Sequence, residues 1–194
     1  MKYGITLILY VVLQFVAFLL LLVGTPLDMF RKTKLTGYGT VKCITLWGVK
    51  ENCASLDYDL TIYLFFSSCE TRTALFRIAQ SFAVISVLVY GAAFSLGFAM
   101  LFWCHFLRLV CLVLNVVGAI TLCVVWAIVV TVFHRMDGPL CVSLRDFHFV
   151  FGTGFFFLVL AWCLDTLNII ILLLPCTVSA TTDNEKTEPP TAQE

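Results

Sequence analysis

The sequence predicts an all-α membrane protein: a four-transmembrane-helix bundle carrying a small, disulfide-closed, β-containing extracellular loop domain. Three observations predict it. Of the 194 residues, 61% are hydrophobic and 12% charged, with a mean hydropathy of +1.00, whereas an average soluble domain is about half apolar and about a quarter charged. The apolar residues are gathered into four long runs almost free of charge, the mark of membrane spans rather than of a large soluble core. Between the first two runs lies a polar stretch, Cys43-Ile44-Thr45-Leu46-Trp47-Gly48-Val49-Lys50-Glu51-Asn52-Cys53. Two cysteines bracket a β-branched and aromatic run that a glycine ends, the pattern of a strand and turn closed by a disulfide. The closed loop is short, so its bridge contributes roughly 3 kcal/mol or less on the chain-entropy model.

Residues 1–4 form a short N-terminus expected in the cytosol. Residues 5–23 are the first span, long enough to cross a hydrocarbon core of ~30 Å at about 1.5 Å per residue. An uncleaved helix is expected over a signal peptide. The flank before the run holds Lys2 alone, the run is long for a signal core, and Val23-Gly24-Thr25-Pro26 is a poor cleavage site. Residues 24–81 form the first loop, where charges of both signs appear. Gly37 and Gly39 mark a turn, and residues 41–47 and 60–66 read as strands separated by a turn-rich segment from Gly48 to Asp59.

The second span is 82–104. Gly91, Ser95 and Ala99 recur every four residues, a spacing of small residues that lets helices approach closely in lipid. Residues 105–108 are a short cytosolic turn, so the second span and the third, 109–133, form a tight antiparallel hairpin. A second loop at 134–148 precedes the fourth span, 149–174. From 175 to 194 the composition turns to Thr, Glu, Pro and Ser, a tail expected to be disordered in the cytosol.

Four spans put both termini on one side and both loops on the other. Two arguments about sidedness disagree. The loops together with Arg77 hold nine of the 12 Lys and Arg, which by charge alone places them in the cytosol. Disulfide chemistry places them outside, because cytosolic thiols stay reduced. The first loop is long and its bases are largely balanced by acids, so extracellular loops are expected.

The block Cys43 to Cys53 closely resembles the signature of the amastins, four-span surface proteins of trypanosomatid parasites, with Cys43, Thr45, Leu46, Trp47, Gly48, Lys50 and Cys53 at the signature positions. Gly24-Thr25-Pro26-Leu27-Asp28-Met29-Phe30-Arg31 resembles the family's segment after the first span. Gln80-Ser81-Phe82-Ala83-Val84-Ile85-Ser86 resembles its entry to the second. The resemblance implies a multi-pass plasma-membrane protein with both loops outside, acting at the host–parasite interface. The layout is also similar to the claudin-like tetraspan group. There the Trp-Gly element precedes the cysteine pair, whereas here Trp47 and Gly48 lie inside it, so a junction role is not implied. Amastins are described as glycoproteins, yet no Asn here is followed by x-Ser or x-Thr, so N-linked sugar is not expected.

The chain carries nine cysteines, so at least one is free or pairs with another chain. Cys43 and Cys53 are expected to form a disulfide rather than a metal site, since zinc wants four ligands at closer spacing. Cys69 and Cys141 fall on the same side of the membrane, and a second bridge joining the two loops is a hypothesis from even pairing. Cys104 and Cys176 are lipidation candidates at the cytosolic face. Cys111, Cys123 and Cys163 read as small apolar span residues. Trp47 reads as a packing anchor near the membrane surface before it reads as a ligand contact. His134 and His148 flank the second loop and read as ordinary surface histidines before they read as pH sensors.

Asp165 is an acid deep in a span, where such residues are costly and often functional. Gln14, Asn115 and Asp165 fall at a common depth of roughly 10–15 Å from the terminal side. Hydrogen-bonded glue between helices is the expected role, and a polar relay for protons or ions is the sharper alternative.

No HxxEH, GxSxG or paired-acid arrangement is present, so no enzyme is expected; nor is a cofactor or a metal. The zero net charge and pI near 6.8 lack the basic footprint of a nucleic-acid binder. The expected partners are the lipid bilayer, a host-cell membrane or protein, and a second copy of the chain. The leading reading is a non-enzymatic surface protein working through its loops. The alternative is an ion or proton channel or transporter-like subunit built around Asp165.

Overall fold

The computed structural model describes residues 2–32, 43–53, 55, 57–101, 107–136, 141, 143–146 and 148–173. The expected turn at Gly37 and Gly39, the lipidation candidates Cys104 and Cys176, and the tail from 175 lie outside the described residues.

Four long apolar helices form the bundle: α1 (Lys2–Gly24), α3 (Glu70–Met100), α4 (Leu107–His134) and α5 (Thr153–Leu173). Each is long and apolar enough to cross a membrane. The distribution of side chains says that they do. Large apolar residues face outward, among them Leu88, Leu109, Ile120 and Phe156, while Gln14, Asn115, Asp165 and Asn168 are buried. That arrangement reverses a water-soluble fold and suits a bundle surrounded by hydrocarbon. α1 packs on α3 and α5, and α4 packs on α3 and α5, so the four helices make a ring.

The buried face of α3 runs through Ser86, Tyr90, Ala93, Gly97 and Met100. The expected stripe of Gly91, Ser95 and Ala99 lies off that face, with Ser95 exposed. Two glycines of α3 admit a ring from α1: a Cβ would stand 2.7 Å from the Tyr10 ring at Gly97 and 3.3 Å from the Phe18 ring at Gly91, the first residue of that stripe.

One end of the bundle carries a five-stranded antiparallel sheet in the order β4-β3-β2-β1-β5, built from β1 (Asp28–Lys32), β2 (Cys43–Thr45), β3 (Gly48–Lys50), β4 (Leu60–Thr61) and β5 (Phe149–Phe151). β1 leaves α1 through a turn and β5 leads into α5, so the sheet is stitched into the bundle. Phe30 stacks on Phe133 at a centroid distance of 6.0 Å, and Phe133 meets Phe151 at 4.4 Å. These rings make one continuous core from sheet to helices.

Three expectations for the loop region change. The strand expected over 60–66 ends at Thr61, and Ile62–Phe65 forms a short helix, α2. Ile62 and Phe66 are both buried, a spacing of four that suits a helical turn and not a strand, which would place both on one face with Leu64 between. Leu64 is instead 65% exposed. The strand expected over 41–47 is described as Cys43–Thr45, because the chain turns at Leu46 and Trp47. Finally, Gly48–Lys50 is a strand where a turn-rich segment was expected. The fourth apolar run also divides: Phe149–Phe151 pairs with β1, and the helix begins at Thr153.

Candidate functional site

The stretch from Cys43 to Cys53 folds as a tight hairpin. Cys43 pairs with Lys50 and Ile44 with Val49, leaving Leu46 and Trp47 as the turn. Thr45 closes it: its hydroxyl donates to the Gly48 carbonyl at 2.8 Å and accepts from the Gly48 and Trp47 amides at 3.0 and 3.2 Å. A β-branched residue with a hydroxyl serves both strand and turn. Gly48 has a steric duty, since a Cβ would lie 2.7 Å from the Leu60 carbonyl oxygen and 2.9 Å from the Tyr58 ring. Lys50 buries its stem, places its ammonium 4.5 Å from the Tyr58 ring centre, and donates to the Ser55 carbonyl at 2.8 Å. Cys43 and Cys53 are bonded, their Cα atoms 5.5 Å apart.

The turn separates its two residues. Leu46 is fully buried, and its carbonyl accepts from Gln80 Nε2 on α3 at 2.9 Å. Gln80 in turn accepts from the Tyr63 hydroxyl at 2.6 Å, so one amide side chain clamps the hairpin and α2 to the bundle. Trp47 is 36% exposed. The packing anchor expected at Trp47 is therefore Leu46, because a turn of two residues points one inward and presents the other. Tyr58, Leu60, Tyr63 and Leu64 are exposed around the same edge, and the pairing of Gly48 with Thr61 and Val49 with Leu60 sets β4 beside the hairpin.

A second clamp holds the second loop. Cys69 and Cys141 are bonded with Cα atoms 6.0 Å apart. Arg72, one turn further along α3, is buried and donates to the carbonyls of Cys141 and Arg135 at 2.9 and 3.0 Å. Asp28 is also buried. It accepts from Arg31 Nε at 3.1 Å and from the Thr153 hydroxyl at 2.9 Å, tying β1 to the start of α5. His134 and His148 are both exposed.

A family model described as Amastin surface glycoprotein matches residues 15–172. The chain belongs to the amastin family. Comparison with curated proteins gives no match. The match runs from within α1 to Leu172 in α5, so it takes in the second part of α1, the other three long helices, the sheet and both bridges. Membership makes the protein a multi-pass surface protein of a family of parasite surface glycoproteins. Each amastin signature residue has a structural task in the hairpin, and Trp47 alone among them is presented outward.

Within the bundle, the three polar span residues do not form one hydrogen-bonded set. Asn115 donates to the Tyr10 hydroxyl at 3.0 Å and to the Cys111 carbonyl at 2.9 Å. Gln14 accepts from Asn168 at 2.7 Å. Asp165 bonds to neither; its neighbours are Gly118, where a Cβ would stand 3.5 Å from Oδ2, and Tyr90, 2.8 Å from the same point. Sequence reasoning missed Tyr10, Tyr90 and Asn168. Asn168 was findable, since it lies three residues from Asp165 on one helical face. The tyrosines were not, because a Tyr in a span reads equally as an interfacial residue. Arg72 and Gln80 read as flanking charge and polarity, and only their burial reveals the clamps. Cys111 is buried and Cys163 exposed to the surroundings of the bundle, both unbridged, as is Cys123.

Proposed function

We propose that the protein is a non-enzymatic plasma-membrane display protein. Both loops face outward, both termini are cytosolic, and the hairpin edge contacts a host-cell membrane or protein. The observation that carries this reading is the exposed aromatic edge of a rigidly held hairpin. Trp47, Tyr58 and Leu60 are each partly exposed and Leu64 largely so, while the residues beneath them are fixed by a disulfide, the Thr45 turn and the Gln80 clamp. Exposed apolar clusters on a fixed frame are contact surfaces, and Trp and Tyr carry much of the energy at such contacts. The two bridges support an oxidising compartment for the loops. The channel or transporter alternative draws on Asp165. The cross-helix bonds Tyr10–Asn115 and Gln14–Asn168 support glue between helices instead.

Two measurements test it. An epitope placed beside Ser55 is stained on intact, unpermeabilised cells, and one at the C-terminus is stained after permeabilisation; the reverse pattern refutes the orientation. Full-length protein in lipid nanodiscs binds host plasma-membrane vesicles, and the Trp47→Ser, Leu64→Ser double variant binds roughly tenfold more weakly. Equal binding by a folded double variant removes the hairpin edge from the function.

A further inference from the structure

The helix α3 is longer than the membrane needs, and its surplus carries a cation. α5 has 21 residues, roughly 31 Å at about 1.5 Å per residue, which matches a hydrocarbon core of ~30 Å. α3 has 31 residues, roughly 46 Å. The two helices share a reference level. Tyr90 of α3 and Asp165 of α5 both reach Gly118 of α4, where a Cβ would stand 2.8 Å from the Tyr90 ring and 3.5 Å from Asp165 Oδ2. From there α5 climbs roughly 18 Å to its start at Thr153, and α3 climbs roughly 20 Å to Arg77. Arg77 therefore stands at the edge of the hydrocarbon, on the side of the loops. Side chains of a helix lean toward its N-terminus, which for α3 is the loop end. The guanidinium thus rises from that edge into the headgroup layer.

Arg77 is exposed, and it is held in place. Its guanidinium carbon lies over the Tyr63 ring, 4.8 Å from the centre. The ring is itself fixed, because the Tyr63 hydroxyl donates to Gln80 at 2.6 Å and Gln80 donates to the Leu46 carbonyl at 2.9 Å. A guanidinium lying over a ring keeps its N–H fork available. Among the described residues no carboxylate pairs with that fork. Below it on α3, Ser81, Ile85 and Leu88 are exposed, four, eight and eleven residues on, which makes one lipid-facing stripe. The Ser81 hydroxyl is spent on the Arg77 carbonyl at 3.1 Å, so the stripe offers apolar contact.

We propose that Arg77 and Tyr63 form a binding site for the phosphate of one phospholipid in the leaflet on the loop side, with an acyl chain lying along Ile85 and Leu88. An arginine fork matches a phosphate bidentately. One cation suits the single negative charge of a phosphodiester, and the Tyr63 ring reduces the freedom that the arginine loses on binding. The stripe selects a lipid over a free anion, since phosphate alone would gain one exposed ion pair, which is worth little. The site uses neither Trp47 nor Leu64, so it stands apart from the contact proposed for the hairpin edge. That this leaflet is the outer one rests on the orientation proposed above.

The test uses the full-length protein in nonionic detergent, where orientation plays no part, so its failure and that of the orientation are told apart. Native mass spectrometry counts bound lipids as phosphatidylglycerol, or a diacylglycerol with the same acyl chains, is titrated in. Wild type is expected to bind the first phosphatidylglycerol roughly tenfold more tightly than the first diacylglycerol, and Arg77→Gln to lose that preference. Arg145→Gln, which removes an exposed positive charge from the second loop, keeps it. Inorganic phosphate in large excess does not displace the lipid. Equal affinity of wild type for both lipids overturns the proposal, and this comparison carries the test if Arg77→Gln does not fold. A preference that survives in a folded Arg77→Gln overturns it too, as does one lost equally in Arg145→Gln, which would reflect net charge alone. Displacement by inorganic phosphate overturns the assignment to a lipid.

Discussion

Replacing both cysteines of each bridge by serine separates what the two bridges contribute. Cys69–Cys141 spans 72 residues, which on the chain-entropy model corresponds to about 4.4 kcal/mol. Cys43–Cys53 spans 10 residues, which corresponds to about 2.7 kcal/mol. The longer loop contains α3 and α4, and in a micelle these helices stay formed after tertiary unfolding, so the real loss of freedom is smaller than for a random chain. Arg72 also stays in place and still donates to the Cys141 carbonyl, so the native second loop remains docked without its bridge. The Cys69→Ser, Cys141→Ser pair should therefore lose up to about 4 kcal/mol, and the Cys43→Ser, Cys53→Ser pair up to about 3 kcal/mol. In midpoint terms the first loss is at most about 8–16 °C for a chain of this size. Thermal unfolding of the full-length protein in micelles, followed by tryptophan fluorescence, measures both, with unreduced peptide mapping to verify the remaining bridge in each variant. A loss from the short bridge well above its ceiling of about 3 kcal/mol would refute the reasoning. It would mean that local packing of the hairpin, not chain entropy, dominates.

Two further substitutions probe the clamps. Gln80→Leu leaves the Leu46 carbonyl and the Tyr63 hydroxyl without their partner; it should lower stability by about 1–3 kcal/mol and raise protease sensitivity between residues 43 and 66, and unchanged cleavage there would show that the amide clamps nothing. Gly154→Leu drives a side chain into the crossing of α1 and α5, where even a Cβ would stand 2.8 Å from the Gly24 carbonyl oxygen and 3.0 Å from that of Asp28; a loss of about 1–3 kcal/mol or more is expected, and a folded variant with the wild-type midpoint would contradict the close approach.

The number of spans was legible from sequence because lipid imposes a simple rule. A spanning segment must satisfy its own backbone and show apolar side chains outward, so length and hydropathy suffice. The hairpin was legible in part for a similar reason. Cys43, Thr45, Gly48 and Cys53 act locally, through bonds and turn geometry that depend on neighbours a few residues away. The β1 and β5 strands were not legible. Asp28–Lys32 follows a span and Phe149–Phe151 is continuous with another, and each becomes a strand through pairing with partners far along the chain.

Sequence by itself determined how many helices are long and apolar enough to cross the membrane, that a cystine-closed strand and turn stands between the first two, and which family the chain resembles. These depend on composition and on short-range spacing. Tertiary structure decided which face of each helix is buried, that Leu46 and not Trp47 is the anchor, that Gln80 and Arg72 are clamps, and that Tyr90 and Asn168 stand in the bundle interior alongside Asp165. Those facts depend on where four helices and five strands meet in space, and hydropathy along one chain does not encode the angle at which a helix faces its neighbours.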